Sequence, residues 1–189
     1  MEQGFRAFTA ESRIGILPVL LSEIKVRLGI GVSRNPATPW DFSGTAIWDT
    51  GAMGTCISEK VVQTLDLKPI SMATIHAAGN TFDSPVYMID LMLPNELAVQ
   101  NVKATRAPNI IGGDVLVGMD VITVGDFAVT NGGGKTVFSF RFPPADKHID
   151  FAEQAKRLIE AQKQNVSRDG APQDRQKMLK HLKRKGILR

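Results

Sequence analysis

The chain has 189 residues, 43% hydrophobic and 22% charged, which suits a globular protein with one core domain and a tail and leaves two full domains tight. A single cysteine, Cys56, excludes an intrachain disulfide and a cysteine-based metal cluster. The formal charge of +4 is uneven: residues 146–189 carry 12 Lys and Arg against 6 Asp and Glu, and the rest carries 11 against 13, so the basicity belongs to the tail.

Residues 1–22 show no firm pattern and read as an N-terminal leader. The longest apolar run, residues 14–21, is broken by Gly15 and Pro18 and falls far short of the ~20 residues a bilayer needs. The start also lacks the basic, apolar and small-residue order of a signal peptide, so the expectation is a cytoplasmic protein without a membrane span. Polar and apolar residues then alternate over 23–30, the period of a half-buried strand. Pro36 and Pro39 mark a loop over 33–41. A short apolar run, 44–48, leads straight into Asp49-Thr50-Gly51-Ala52.

Val61, Val62, Leu65 and Leu67 predict a short helix over 58–67, with Ser58 as N-cap and Pro69 beyond its end. Strands are expected over 72–77 and 85–91, with Gly79-Asn80 at the centre of a hairpin turn between them. Another follows over 97–106, then the apolar run Val115-Leu116-Val117 ended by Gly118. Strands over 126–130 and 136–142 are joined by the glycines at 132–134, which form a hairpin turn and lack the spacing of a phosphate loop. Seven or so short strands and one brief helix make an all-β domain that ends near Pro143-Pro144. Beyond it, Phe151, Ala155, Leu158 and Ile159 fall at helical spacing. Residues 167–172 read as a hinge, and 173–185 as a second helix.

Two segments carry the chemistry. Ala46-Ile47-Trp48 delivers Asp49 to a turn, where Gly51, with no side chain, lets backbone or substrate approach closely. On its own this is also what a strand-to-turn junction looks like, with Asp and Gly serving only as turn formers. Val115-Leu116-Val117-Gly118, about 65 residues on, reads on its own as a buried core strand.

Together, and with the glycine-containing hairpin Ala78-Gly79-Asn80 between them, these segments resemble the retropepsin-like aspartic proteases. In that family a strand carries Asp-Thr-Gly-Ala, a Gly-tipped flap follows, and a hydrophobic-hydrophobic-Gly strand threads beside the catalytic loop. Leu116-Val117-Gly118-Met119-Asp120 looks especially like bacterial and retroelement members. The resemblance covers roughly residues 23–143. It implies a closed acid-protease barrel over 23–144 with one short helix, flanked by the leader and by a basic helical tail over 145–189.

The resemblance also implies roles. Asp49 would be the catalytic carboxylate, Thr50 would hydrogen-bond across a dimer axis, Gly51 would admit the partner aspartate and substrate, and Ala52 would complete the loop. Ala78, Gly79 and Asn80 would form the flap. Two carboxylates about 3 Å apart cannot both ionise, so they share a proton. The charged one takes a proton from water and the neutral one assists the scissile carbonyl. With one Asp-Thr-Gly per chain, the second must come from a homodimer mate. The expected activity is that of an endopeptidase on a polypeptide substrate, with no cofactor. Trp48 is larger than the aliphatic residue expected before the aspartate. Met53 stands where the family often has a small or acidic residue. The flap has one glycine where viral members have several, and a tail replaces their terminal dimerising strand.

Other residues fit quieter roles. Asp114 and Asp120 read as turn or helix-cap residues and Cys56 as a small buried apolar residue. His76, His148 and His181 have no ligand spacing, so no metal is assigned. The tail leaves three readings open: a solvated helical appendage, a dock for an acidic partner or its own dimer mate, or contact with nucleic acid or an anionic surface. The last would use Lys177, Lys180, Lys183, Arg184 and Lys185. The rival to the protease is a non-catalytic module of the same fold whose tail contacts a partner.

Overall fold

The computed structural model describes residues 5–77, 80–169, 180, 181 and 183–185. In chain order their elements are β1 (Arg6–Glu11), β2 (Leu20–Leu28), β3 (Phe42–Trp48), β4 (Cys56–Ser58), α1 (Glu59–Thr64), β5 (Ser71–Ala77), β6 (Asn80–Leu93), β7 (Leu97–Ala107), β8 (Val115–Val117), α2 (Met119–Ile122), β9 (Asp126–Thr130), β10 (Val137–Phe142) and α3 (Phe151–Asp169). Two compact units result, Met1–Ala145 and Asp146–Arg189.

Six strands of the first unit close on themselves in the order β2-β3-β8-β4-β7-β6, and β6 pairs back onto β2. This is an all-β closed barrel. The alternation read in β2 is what permits closure: Ser22, Ile24 and Val26 point inward and are buried, while Glu23, Lys25 and Arg27 face out. β2 can then pair with β3 through Leu20–Val26 and with β6 through Lys25–Leu28. Most pairings are antiparallel, but β8 runs parallel to β3 and β4 parallel to β7. β5 pairs with β6 alone and extends from the barrel as one arm of a hairpin.

The second sheet, β1-β10-β9, is antiparallel and joins the two ends of the unit. Its inward row, Phe8, Phe140 and Phe127, lies in one line across the strands and meets Trp48 of the barrel. Each such aromatic pair adds about 0.5–1.5 kcal/mol beyond the area it buries. This cluster holds the small sheet to the barrel.

Several expectations need correction. Residues 1–22 are not a patternless leader, because β1 and the start of β2 lie within them. β1 has one large apolar residue, Phe8, among alanines and polar residues, and its strand geometry comes from β10, about 130 residues away. The brief helix is joined by a second, α2, a single turn too short to leave a periodic pattern. β4, three residues long, is likewise too short for a periodic pattern, and it ends at Ser58, where the expected helix begins. Ser58 does sit at the N-cap position of α1, but its side chain makes no cap hydrogen bond. It ends β4, donates its N–H to the Asp114 carbonyl, and keeps its hydroxyl buried.

The hairpin between β5 and β6 pairs Ala77 with Asn80, which places Asn80 at the start of β6. Residues 78–79 themselves lie outside the described residues.

In the second unit, α3 runs through Ser167, where the expected hinge begins, as far as Asp169. It carries a Glu153–Arg157 ion pair one turn apart and exposes Phe151, Leu158 and Ile159. Most of the expected hinge and second helix lies outside the described residues.

Candidate active site

β3 and β4 lie on either side of β8, so the loop 49–55 that joins them must cross the C-terminal end of β8. At that crossing the Asp49 N–H donates to the Val117 carbonyl, 3.0 Å away. The Asp49 carboxylate is half-buried, and its Oδ1 accepts the Gly51 N–H at 2.8 Å. Among the described residues Oδ2 has no donor. Thr50 and Gly51 are exposed and Ala52 is half-buried. A side chain at Gly51 would bring its Cβ to 3.1 Å from Asp49 Oδ1, crowding the carboxylate.

The loop's far end is tied down by residues beyond the motif. The backbone N–H of Met119 donates to Ala52 O at 2.8 Å and that of Asp120 to Met53 O at 3.1 Å. The Asp120 carboxylate accepts the N–H of Thr55 at 3.0 Å on Oδ2 and its hydroxyl at 2.8 Å on Oδ1. Thr55 Oγ1 in turn accepts the Gly118 N–H at 3.2 Å. Gly118 must be small: a Cβ there would lie 2.6 Å from the Gly54 carbonyl carbon and oxygen, backbone atoms that no side-chain rotation can clear. Asp120 also accepts the N–H of its neighbour Val121 inside α2, but the N-cap position belongs to Gly118, so Asp120 is not the cap residue, and its bonds to Thr55 were not visible in the sequence. They span 65 residues, and no local pattern signals them.

Asp114 accepts the Thr45 N–H at 3.1 Å and an ion pair from Lys60 at 3.1 Å, which makes it a brace between β3 and α1. Of the flap, Ala78 and Gly79 lie outside the described residues, and Asn80 opens β6, its side chain likewise outside. His76, on β5, has Nδ1 3.0 Å from the Thr81 hydroxyl.

Burial pushes the Cys56 thiol up from its ordinary range; a hydrogen bond with Thr105 opposes this, and the nearby Asp120 and Asp49 charges add to it. Such a thiol stays protonated and is a poor nucleophile. Among the described residues no cluster of His, Cys, Asp and Glu could hold a metal ion. Nor is any described helix long and apolar enough to cross a membrane. A groove of about 890 Å³, lined by Arg6, Lys25 and Arg27 among others, lies apart from Asp49, and Arg6 and Arg27 are engaged by Glu96 and Asp41. In the tail Lys180, Lys183, Arg184 and Lys185 are exposed, and Lys177 lies outside the described residues.

The closed barrel, with the hydrophobic strand β8 ending in Gly118 beside the Asp-Thr-Gly-Ala loop, is the arrangement that the resemblance to the retropepsin-like aspartic proteases implies. Residues 42–123 match the family model described as gag-polyprotein putative aspartyl protease. Two solved structures share similarity with the chain. A retropepsin-like aspartic protease from Rickettsia conorii is 10% identical, with a TM-score of 0.45, over 75% of this chain and 98% of that one. The protease of Simian Foamy Virus (mac) is 18% identical, with a TM-score of 0.37, over 55% of this chain and 92% of that one. No curated protein matches.

Proposed function

We propose that the chain is an aspartic endopeptidase subunit, and that two copies form a twofold homodimer with an Asp49 from each at the axis. The observation that carries this reading is the placement of Asp49. It is a half-buried carboxylate at a strand end, with one oxygen bound by the Gly51 amide, in a loop whose other end is pinned by Asp120. The Gly51 bond by itself is the Asx turn that any turn-forming aspartate makes; the pinning of the loop's far end by Asp120 is what a simple turn does not need. A single copy supplies only one carboxylate, and the reaction needs two protonation states at once.

In the dimer the ionised Asp49 removes a proton from a water molecule, which attacks the scissile carbonyl carbon. The protonated Asp49 of the mate hydrogen-bonds to the carbonyl oxygen. As the tetrahedral intermediate collapses, the C–N bond breaks and the amine leaves with a proton from the dyad. The exposed Thr50 hydroxyls suit bonding across the axis, and the β5–β6 hairpin would cover the substrate as the flap.

The test is cleavage of a peptide library at several pH values by wild type and Asp49→Asn. Wild type should cleave, since hydrolysis needs one ionised and one protonated carboxylate. The variant, folded but with neither base nor acid, should lose on the order of 10⁴-fold. Equal rates for the two proteins would overturn the assignment. Inactivity of both on every peptide would favour a binding module that keeps the fold.

A further inference from the structure

The residue immediately before Asp49 is the place where the two sheets of the domain meet. Trp48 is 4% exposed, and its backbone pairs with Leu20 of β2 on one side and Val117 of β8 on the other. Its ring, however, is surrounded by the small sheet. Phe127 of β9 stacks on it at 5.4 Å with only 6° between the planes. Phe140 and Phe138 of β10 lie at 5.2 and 5.7 Å, and Phe8 of β1 at 5.7 Å. Its one polar atom is also committed, since Nε1–H donates to the buried Ser22 hydroxyl at 3.0 Å. All three strands of the small sheet therefore contact this one side chain, and the next peptide unit carries the Asp49 N–H that bonds to Val117.

We propose that Trp48 is a positioning residue that makes the β1-β10-β9 sheet part of the catalytic apparatus: the seating of β1 through Phe8 sets where Asp49 sits. The inference rests on Asp49 as the reacting carboxylate. A smaller aliphatic residue would fill the barrel core without reaching the small sheet. The indole reaches it and spans both layers, so a shift of either sheet is passed to the adjoining residue. Packed cores transmit such shifts because they have few voids to absorb them, and a displacement of about 1 Å at a reacting group can cost about 100-fold in rate.

The experiment uses the full chain, at concentrations where activity per chain no longer rises. Phe8→Ala and Trp48→Phe are compared with Leu97→Ala, a buried core truncation in β7 outside the aromatic cluster. Phe8→Leu replaces Phe8→Ala if that protein does not fold. Native-state hydrogen exchange follows the amides of Asp49 and Gly51, and peptide hydrolysis gives kcat and KM. In the cluster variants the two amides should exchange about tenfold faster than in wild type, and in Leu97→Ala they should not. kcat should fall about 10- to 100-fold in the cluster variants with KM little changed.

Unchanged exchange at Asp49 and Gly51 in folded cluster variants would overturn the inference, even if wild type cleaves peptides. Equal acceleration in Leu97→Ala would do the same, by reducing the effect to general loosening. Accelerated exchange confined to the cluster variants, in a protein that cleaves nothing, would support the link from the small sheet to Asp49 and defeat the protease reading instead.

Discussion

The carboxylate of Asp120 holds Thr55 by both its amide and its hydroxyl, at 3.0 and 2.8 Å, across 65 residues of chain. Thr55 is 1% exposed, so these donors have no water to turn to if the carboxylate is removed. Asp120→Ala should therefore destabilise the domain by about 2–3 kcal/mol, the cost of orphaned buried polar groups. Asp120→Asn, which keeps one acceptor oxygen, should recover at least half of that loss. Denaturant melts of the two variants decide the matter; equal stability of Asp120→Ala and wild type would show that the contact carries no weight.

Gly118→Ala tests the close approach of the strand to the loop. The backbone at Gly118 has a φ of −92°, which any residue adopts, so conformational freedom is not the issue. The obstacle is the Gly54 backbone 2.6 Å from the added methyl. The loop must move away, at a cost of about 1–3 kcal/mol. Hydrolysis should fall more steeply than stability, because the displaced loop is the one that carries Asp49. A variant with wild-type activity would show that the loop position is not critical.

Assembly gives a third expectation. If each active site needs an Asp49 from two chains, activity per chain should fall on dilution below the dimer dissociation constant. Sedimentation on the same samples reports the species present. Full specific activity from a monomer would remove the shared-site model.

The tail provides a fourth. β10 ends at Phe142, and Ala145, the last residue of the first unit, donates its N–H to Asp126 at 2.7 Å. Deletion of residues 146–189 should leave a domain that melts cooperatively within about 3 °C of the full chain. A truncated chain that fails to fold would place part of the tail in the domain core.

The sequence by itself was enough for whatever depends on neighbours along the chain. Alternation in 23–30, the apolar approach to Asp49-Thr50-Gly51-Ala52, the glycine ending Val115-Leu116-Val117, and the helical spacing from Phe151 are local patterns, because side-chain direction repeats every two or 3.6 residues. From them came the all-β class, and the candidate carboxylate came from the resemblance that these segments carry together. What only the tertiary structure decided has one physical cause, pairing between segments far apart in sequence. β1 is a strand because β10 lies beside it, and its own residues show only one large apolar side chain. Trp48, read as an oversized residue before the aspartate, fits because four phenylalanines from the small sheet surround it. Asp120, a capping residue by local reading, reaches Thr55 only because β8 is threaded between β3 and β4, and that threading is a property of the folded barrel.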